Sequence, residues 1–165
     1  MARWSATTLN TWTPVAVADT TNMTNAGFAA LQGGTSTQYL NILEVFMGGQ
    51  AASTSSPCIM VLANDSTVGA TLSVGQVTAL NPNSAALGTN PKSFSTATTK
   101  PQRNAGAYLL NLSFNAFGGL VRWVYAPGEE IGILGNTQPL GEISLSAFTG
   151  GTPGLIGSHI IYEPF

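Results

Sequence analysis

Apolar positions along the chain fall in short runs rich in β-branched and aromatic residues, separated by Gly, Pro, Asn and Ser clusters. That is the pattern of strands joined by turns. The clearest case is Tyr108-Leu-Leu-Asn-Leu-Ser-Phe-Asn115, where Tyr108, Leu110, Leu112 and Phe114 point one way and Leu109, Asn111, Ser113 and Asn115 the other. Further strands are predicted over Tyr39 to Met47, Ile59 to Ala63, Leu120 to Tyr125, Ile131 to Leu134, Glu142 to Phe148 and Ser158 to Tyr162. Weaker patterns cover Trp4 to Thr8, Val15 to Ala18, Gly27 to Leu31 and Ala70 to Val74. Only Ser84 to Leu87 can form a helical turn, and Gly88 stops it.

Roughly eight to ten short strands without a useful helix predict an all-β protein, an antiparallel β-sandwich with a jelly-roll-like course. Residues 1–165 read as a single domain, since neither an internal repeat nor a composition break divides them. Two stretches interrupt the rhythm. Asn81 to Gly106 (81–106) is polar and Pro-punctuated and reads as one long interaction loop, while Gln50 to Pro57 reads as a low-complexity turn.

Composition narrows the function. Charged residues make up 7% of the chain, against roughly 25% in ordinary soluble domains. The 44% hydrophobic content excludes disorder, and 19 Gly with 9 Pro exclude a coiled coil or helical bundle. Five Lys and Arg against seven Asp and Glu give a net charge of −2, so no direct nucleic-acid partner is expected. The longest aliphatic run, Ile59 to Ala63, is too short for a membrane span, and no apolar segment follows Arg3 as in an export signal. Cys58, inside Cys-Ile-Met-Val-Leu-Ala, reads as a buried small hydrophobe.

Catalytic chemistry finds few groups to use. Ser158 and His159 are neighbours on a strand and face opposite ways, and no Gly-x-Ser-x-Gly elbow is present. Glu129-Glu130 follows the turn sequence Ala126-Pro127-Gly128; with Glu142 and Glu163 it could form a carboxylate pair or hold a cation, but it reads better as a charged turn. Gly150-Gly-Thr-Pro-Gly154-Leu-Ile-Gly157 lacks the Lys-Ser/Thr ending of a phosphate loop. No catalytic residue, cofactor or metal site is expected.

Interaction residues are easier to nominate. Lys92, Lys100 and Arg103 all fall in the polar stretch, with Phe94 beside them, and either meet an acidic partner or simply keep a loop soluble. Arg3, Trp4 and Trp12 suggest an N-terminal arm over 1–12 with aromatic anchors, although Trp is as much at home in a core. A surface of Ser, Thr, Asn, Gln and Gly loses little rotamer entropy on burial and has no charge to desolvate, which suits permanent contact.

The segments Phe114-Asn-Ala-Phe-Gly-Gly-Leu-Val-Arg-Trp-Val, Ala126-Pro-Gly-Glu-Glu, Gly141-Glu-Ile-Ser-Leu-Ser-Ala-Phe-Thr-Gly-Gly-Thr-Pro-Gly and the ending His159-Ile-Ile-Tyr-Glu-Pro-Phe165 resemble small structural proteins of tailed bacteriophages. In particular they are similar to capsid decoration, or cement, proteins. The resemblance implies a non-enzymatic, commonly homotrimeric jelly-roll subunit, made in the host cytoplasm, that sits on the capsid exterior and bridges major capsid proteins. Two alternatives remain open: a head or tail fibre or tail component, and a carbohydrate-binding β-sandwich stacking sugars on Trp4, Trp12 or Trp123.

Overall fold

The computed structural model describes residues 2–7, 12–15, 21–23, 27–50, 57–74, 76–85, 92–137, 139–147 and 154–164. Among them it forms twelve strands and no helix: β1 (Trp4–Thr7), β2 (Phe28–Gln32), β3 (Tyr39–Gly49), β4 (Pro57–Thr67), β5 (Ala70–Val74), β6 (Gln76–Ala79), β7 (Lys92–Thr99), β8 (Gln102–Asn115), β9 (Leu120–Val124), β10 (Ile131–Leu134), β11 (Glu142–Ala147) and β12 (Ile156–Pro164). They build two antiparallel sheets. The first runs β10-β3-β12-β1-β6, with β9 also paired to β3; the second runs β5-β7-β2-β11-β4-β8. The molecule is a β-sandwich.

Why the two sheets pack is visible in the alternation of their strands. In β12 the even positions Ile156, Ser158, Ile160 and Tyr162 are buried, and the odd positions less so. Its partner β3 cannot keep one parity, because it buries Leu40 and Ile42 at one end and Val45 and Met47 at the other. The ladder resolves this with a bulge: Ile161 pairs with Glu44 and Tyr162 with Ile42, leaving Leu43 as the extra residue. One inserted residue flips the faces beyond it, so both halves of β3 turn their aliphatic side chains inward. Facing them, Leu31, Met60, Leu62, Ile143 and Leu145 of the second sheet complete the main core, each burial being worth about 1.5–3 kcal/mol over exposure.

The bulge also divides the sheet edge. Leu43 offers its carbonyl to the Tyr125 N–H at 3.0 Å, just past the end of β9. On one side of it β9 pairs with residues 44 to 48, and on the other β10 pairs with residues 39 to 42. Two short strands therefore share one flank of β3. Between them Ala126-Pro-Gly-Glu129 makes the expected turn: Glu129 N donates to Ala126 O at 3.0 Å, and Gly128 has φ 88°, a conformation open chiefly to glycine.

In the second sheet the pairs β4/β8 and β5/β7 are successive parts of one ribbon, interrupted at residues 68–69 and 100–101. The ribbon bends there, and β7 pairs with β2 on the side away from β11. Its bend lies against the outer face of β2 and β11: Gly69 N donates to Glu142 Oε2 at 2.9 Å, Arg103 Nη1 to Ala147 O at 3.0 Å, and Met23 N to Pro101 O at 2.8 Å. Hence β2 and β11 are buried on both faces, β11 without a single exposed residue.

Two expectations are corrected. The stretch 81–106 is not one long loop, because Lys92 to Thr99 is strand β7 and Gln102 onward is β8. Lys-Ser-Phe-Ser-Thr-Ala-Thr-Thr shows almost no large apolar alternation, but its Thr residues suit an extended backbone. Nor is the beginning of the chain a free arm: β1 lies inside the first sheet between β12 and β6, with Trp4 and Ala6 turned into the core. Residues 8–11, most of Val15 to Ala18, and Leu87 with Gly88 lie outside the described residues.

Candidate interaction surface

The flank where β8 passes into β9 stands out because its apolar side chains face water. The crossing is made by Asn115-Ala-Phe-Gly-Gly119. Asn115 caps it, its side-chain oxygen accepting the Phe117 N–H at 3.0 Å and its carbonyl the Gly119 N–H at 2.9 Å, while Gly118 sits at φ 74°. This Asx turn carries the chain from the edge of the second sheet to the edge of the first and leaves Phe117 exposed at its tip. Then follows β9, in which Leu120 is 71%, Trp123 43% and Val124 52% exposed.

A half-buried strand should alternate; β9 has four exposed residues out of five. Of the eleven exposed large hydrophobics among the described residues, seven (Leu109, Phe117, Leu120, Trp123, Val124, Leu134 and Leu140) lie between positions 109 and 140. An eighth, Tyr39, pairs in register with Leu134. Monomeric proteins rarely gather exposed apolar side chains in this way, and edge strands are normally protected by charge or Pro. Here the charge on β9 is spent locally: Arg122 Nη2 is 2.7 Å from Glu44 Oε2, and its guanidinium lies 5.3 Å from the centre of the Phe46 ring. Phe46 in turn stacks on His159 at 4.2 Å. Burial lowers the His159 pKa, and nearby Glu44 partly opposes that shift.

The residues nominated from sequence do not gather on one surface. Trp4 and Trp12 are core side chains, and Trp12 Nε1 donates to Ser158 Oγ at 3.1 Å. Arg3 is exposed, with a loose 3.6 Å ion pair to Glu163. Lys92 and Phe94 lie on β7, in register with Gln32 and Ala30, and their side chains are outside the description; Lys100 follows β7, half-buried. Arg103 is 1% exposed and points inward, so it offers nothing to a partner.

Arg103 belongs instead to a polar cluster beneath the ribbon bend that sequence reasoning missed. Its Nη1 donates to Ser146 Oγ at 2.8 Å; Ser144 Oγ donates to Asp65 Oδ1 at 2.6 Å; Gln32 Nε2 donates to Glu142 Oε2 at 3.0 Å. Asp65 and Glu142 are fully buried and interact electrostatically, and repulsion between two buried carboxylates favours one of them keeping its proton. Burial pushes the Asp65 carboxyl well above the usual carboxylate range, and the negative Glu142 adds to the rise, while the Ser144 hydroxyl and Arg103 pull the other way. Glu142 is thus buried in this cluster, whereas the Glu129-Glu130 turn it was considered to join lies between β9 and β10 with Glu129 exposed. With no solvent access, this carboxylate pair meets no substrate. Its signal in sequence was the Glu-Ile-Ser-Leu-Ser-Ala alternation, which looks like a strand with one wet face.

No protein family's sequence profile matches the chain, and no curated protein matches it either.

Proposed function

We propose that the protein is a non-enzymatic structural subunit of a virion, which binds the outside of a tailed-phage capsid and stabilises it by bridging coat subunits. The observation that carries the assembly part of this reading is the apolar flank around β9. A side chain such as Leu120, exposed in the single chain, is accounted for once another protein covers it. The charge-poor composition supports the same conclusion, and the resemblance of the C-terminal third to decoration proteins directs it to a phage head and to a jelly-roll-like subunit. The mechanism is physical: packed DNA strains the shell outward, and a cap touching several coat subunits makes their separation require the loss of several contacts together. About 1,000 Å² or more of complementary contact is needed to hold such a cap specifically.

Electron microscopy of virions carrying a tagged copy tests this directly. Regular label in many copies over the head supports the reading, label confined to the tail moves the protein to a fibre or tail role, and unlabelled virions sink it. Sugar binding is the second reading and now rests on Trp123, which is partly exposed beside Tyr125, the rings edge to face at 6.3 Å. Trp4 and Trp12 are withdrawn from it by burial. Oligosaccharides that leave Trp fluorescence unmoved remove this reading as well.

A further inference from the structure

On the outer face of the first sheet the strand registers line up a row of side chains. Arg122 of β9 pairs with Phe46 of β3, Phe46 with His159 of β12, and His159 with Thr7 of β1. Residues directly opposite in antiparallel strands point to the same side, so these groups stand next to one another. Phe46 is flanked from both neighbouring strands: His159 stacks on it with 4.2 Å between ring centres and 24° between planes, and the Arg122 guanidinium lies 5.3 Å from its centre. Two residues along β3, Glu44 holds Arg122, its Oε2 lying 2.7 Å from Nη2 and 2.8 Å from Nε. Among the described residues the charged groups facing His159 are therefore Glu44 and Arg122. From β1 comes the uncharged Thr7, and farther along the same face Arg3 and Glu163 pair with each other at 3.6 Å.

Four of the five residues of β9 are exposed, so its own burial does little to hold it and the ties of Arg122 count for more. We infer that this row is a clamp on β9 which protonation of His159 releases. A neutral imidazole stacks on Phe46 with no charge to place. A charged one adds a second cation beside a carboxylate, Glu44, that Arg122 already holds. The imidazolium then either draws Glu44 away from Arg122 or turns out to water and takes the support from behind Phe46, and each course removes a tie between β9 and the sheet. Burial holds His159 neutral below its ordinary 6.5, and Glu44 only partly opposes that shift. The open form, with His159 hydrated, binds the proton more tightly, so opening is favoured as pH falls below 6.5 and suppressed above it. Leu120 and Val124 lie two residues either side of Arg122 and share its face, so the loosening reaches the exposed apolar surface. A partner seated there is let go in mild acid; that consequence rests on reading the β9 flank as an assembly surface, whereas the clamp stands without it.

Hydrogen exchange of the full chain, read by mass spectrometry at about pH 7.5 and about pH 5 and corrected for the intrinsic exchange rate, tests the clamp. Peptides over Leu120 to Tyr125 should open roughly threefold to tenfold more at the lower pH, while those over β11 do not. His159→Phe keeps a stacking ring that cannot charge, and it should abolish the acid response. His159 is the chain's one histidine, so its imidazole signal in NMR titrates alone. Its midpoint is expected below 6.5, and Arg122→Gln should raise it, because Glu44 is then free to hold the imidazolium. A histidine that merely packs would titrate without regard to Arg122. Exchange in β9 that does not quicken in acid overturns the clamp, as does a His159→Phe chain that keeps the acid response or a His159 midpoint that Arg122→Gln leaves in place. Virion labelling enters none of these readouts, so the clamp and the capsid reading can fail separately.

Discussion

Strands β11 and β9 invert the usual rule in the same molecule. β11 carries Glu142, Ser144 and Ser146, and all three are buried; β9 carries Leu120, Trp123 and Val124, and all three face water. Polarity did not place either strand. Topology did: β11 lies in the middle of its sheet with the ribbon bend folded over its outer face, whereas β9 lies at a sheet edge, paired with β3 alone among the described residues. The polar strand finds internal partners in Arg103, Asp65 and Gln32. The apolar strand leaves Leu120, Trp123 and Val124 exposed among the described residues, which is the exposure the proposed assembly contact would cover.

The comparison breaks first at Arg103. Arg103→Met removes the cation from beneath the bend while both carboxyls stay buried, and a loss of about 3–5 kcal/mol is expected in urea unfolding. A loss under about 1 kcal/mol shows that the cluster does not depend on it.

The next effect is one of pH. In the unfolded chain Asp65 releases its proton near its ordinary value of 3.8, but in the fold it holds the proton to higher pH. Between those two values the folded state binds more protons than the unfolded one, so this group's contribution to stability falls as pH rises and is greatest in acid. His159 works in the opposite sense, because its lowered pKa makes the fold lose stability as pH falls below 6.5. Asp65→Asn isolates the first contribution: relative to wild type, the thermal midpoint of the variant should lose the component that falls as pH rises through the mildly acidic range and keep the opposite His159 component. If wild type and variant give parallel profiles, the proton on Asp65 is not what sets them.

Smallest is the effect of β9 on the fold itself. Leu120→Ser should change unfolding free energy by no more than about 0.5 kcal/mol, because this 71% exposed side chain loses little burial within the chain. A larger loss means that β9 is held by its own sandwich and the contrast with β11 narrows.

Much of the sandwich was legible in the chain. Ile131 to Leu134 and Ala70 to Val74 were read with the bounds the fold gives them, and Tyr108 to Asn115 alternates as expected. Reading failed where the deciding contact was distant in sequence. Arg103 looked like a surface cation because nothing near it signals Asp65, Ser146 or Glu142, which only the ribbon bend brings to it. Leu120 to Tyr125 was read as a strand, but an apolar run looks the same whether it fills a core or waits for a neighbour. For the interaction surface, the legible clue was the run Phe117-Gly-Gly-Leu-Val-Arg-Trp-Val, which is too continuously apolar for a strand with one wet face. Trp4 and Trp12 misled for the converse reason, since aromatic anchors and core Trp share one spelling.

The position of β12 has a consequence for timing. It is the last of the described strands to leave the ribosome, yet it lies in the interior of the first sheet, between β3 and β1. Until residue 164 has emerged, β3 and β1 each wait with an open edge and no bridge between them. The first sheet therefore closes only once β12 has emerged, and a nascent chain stalled before these nine residues presents adhesive sheet edges that the folded protein hides.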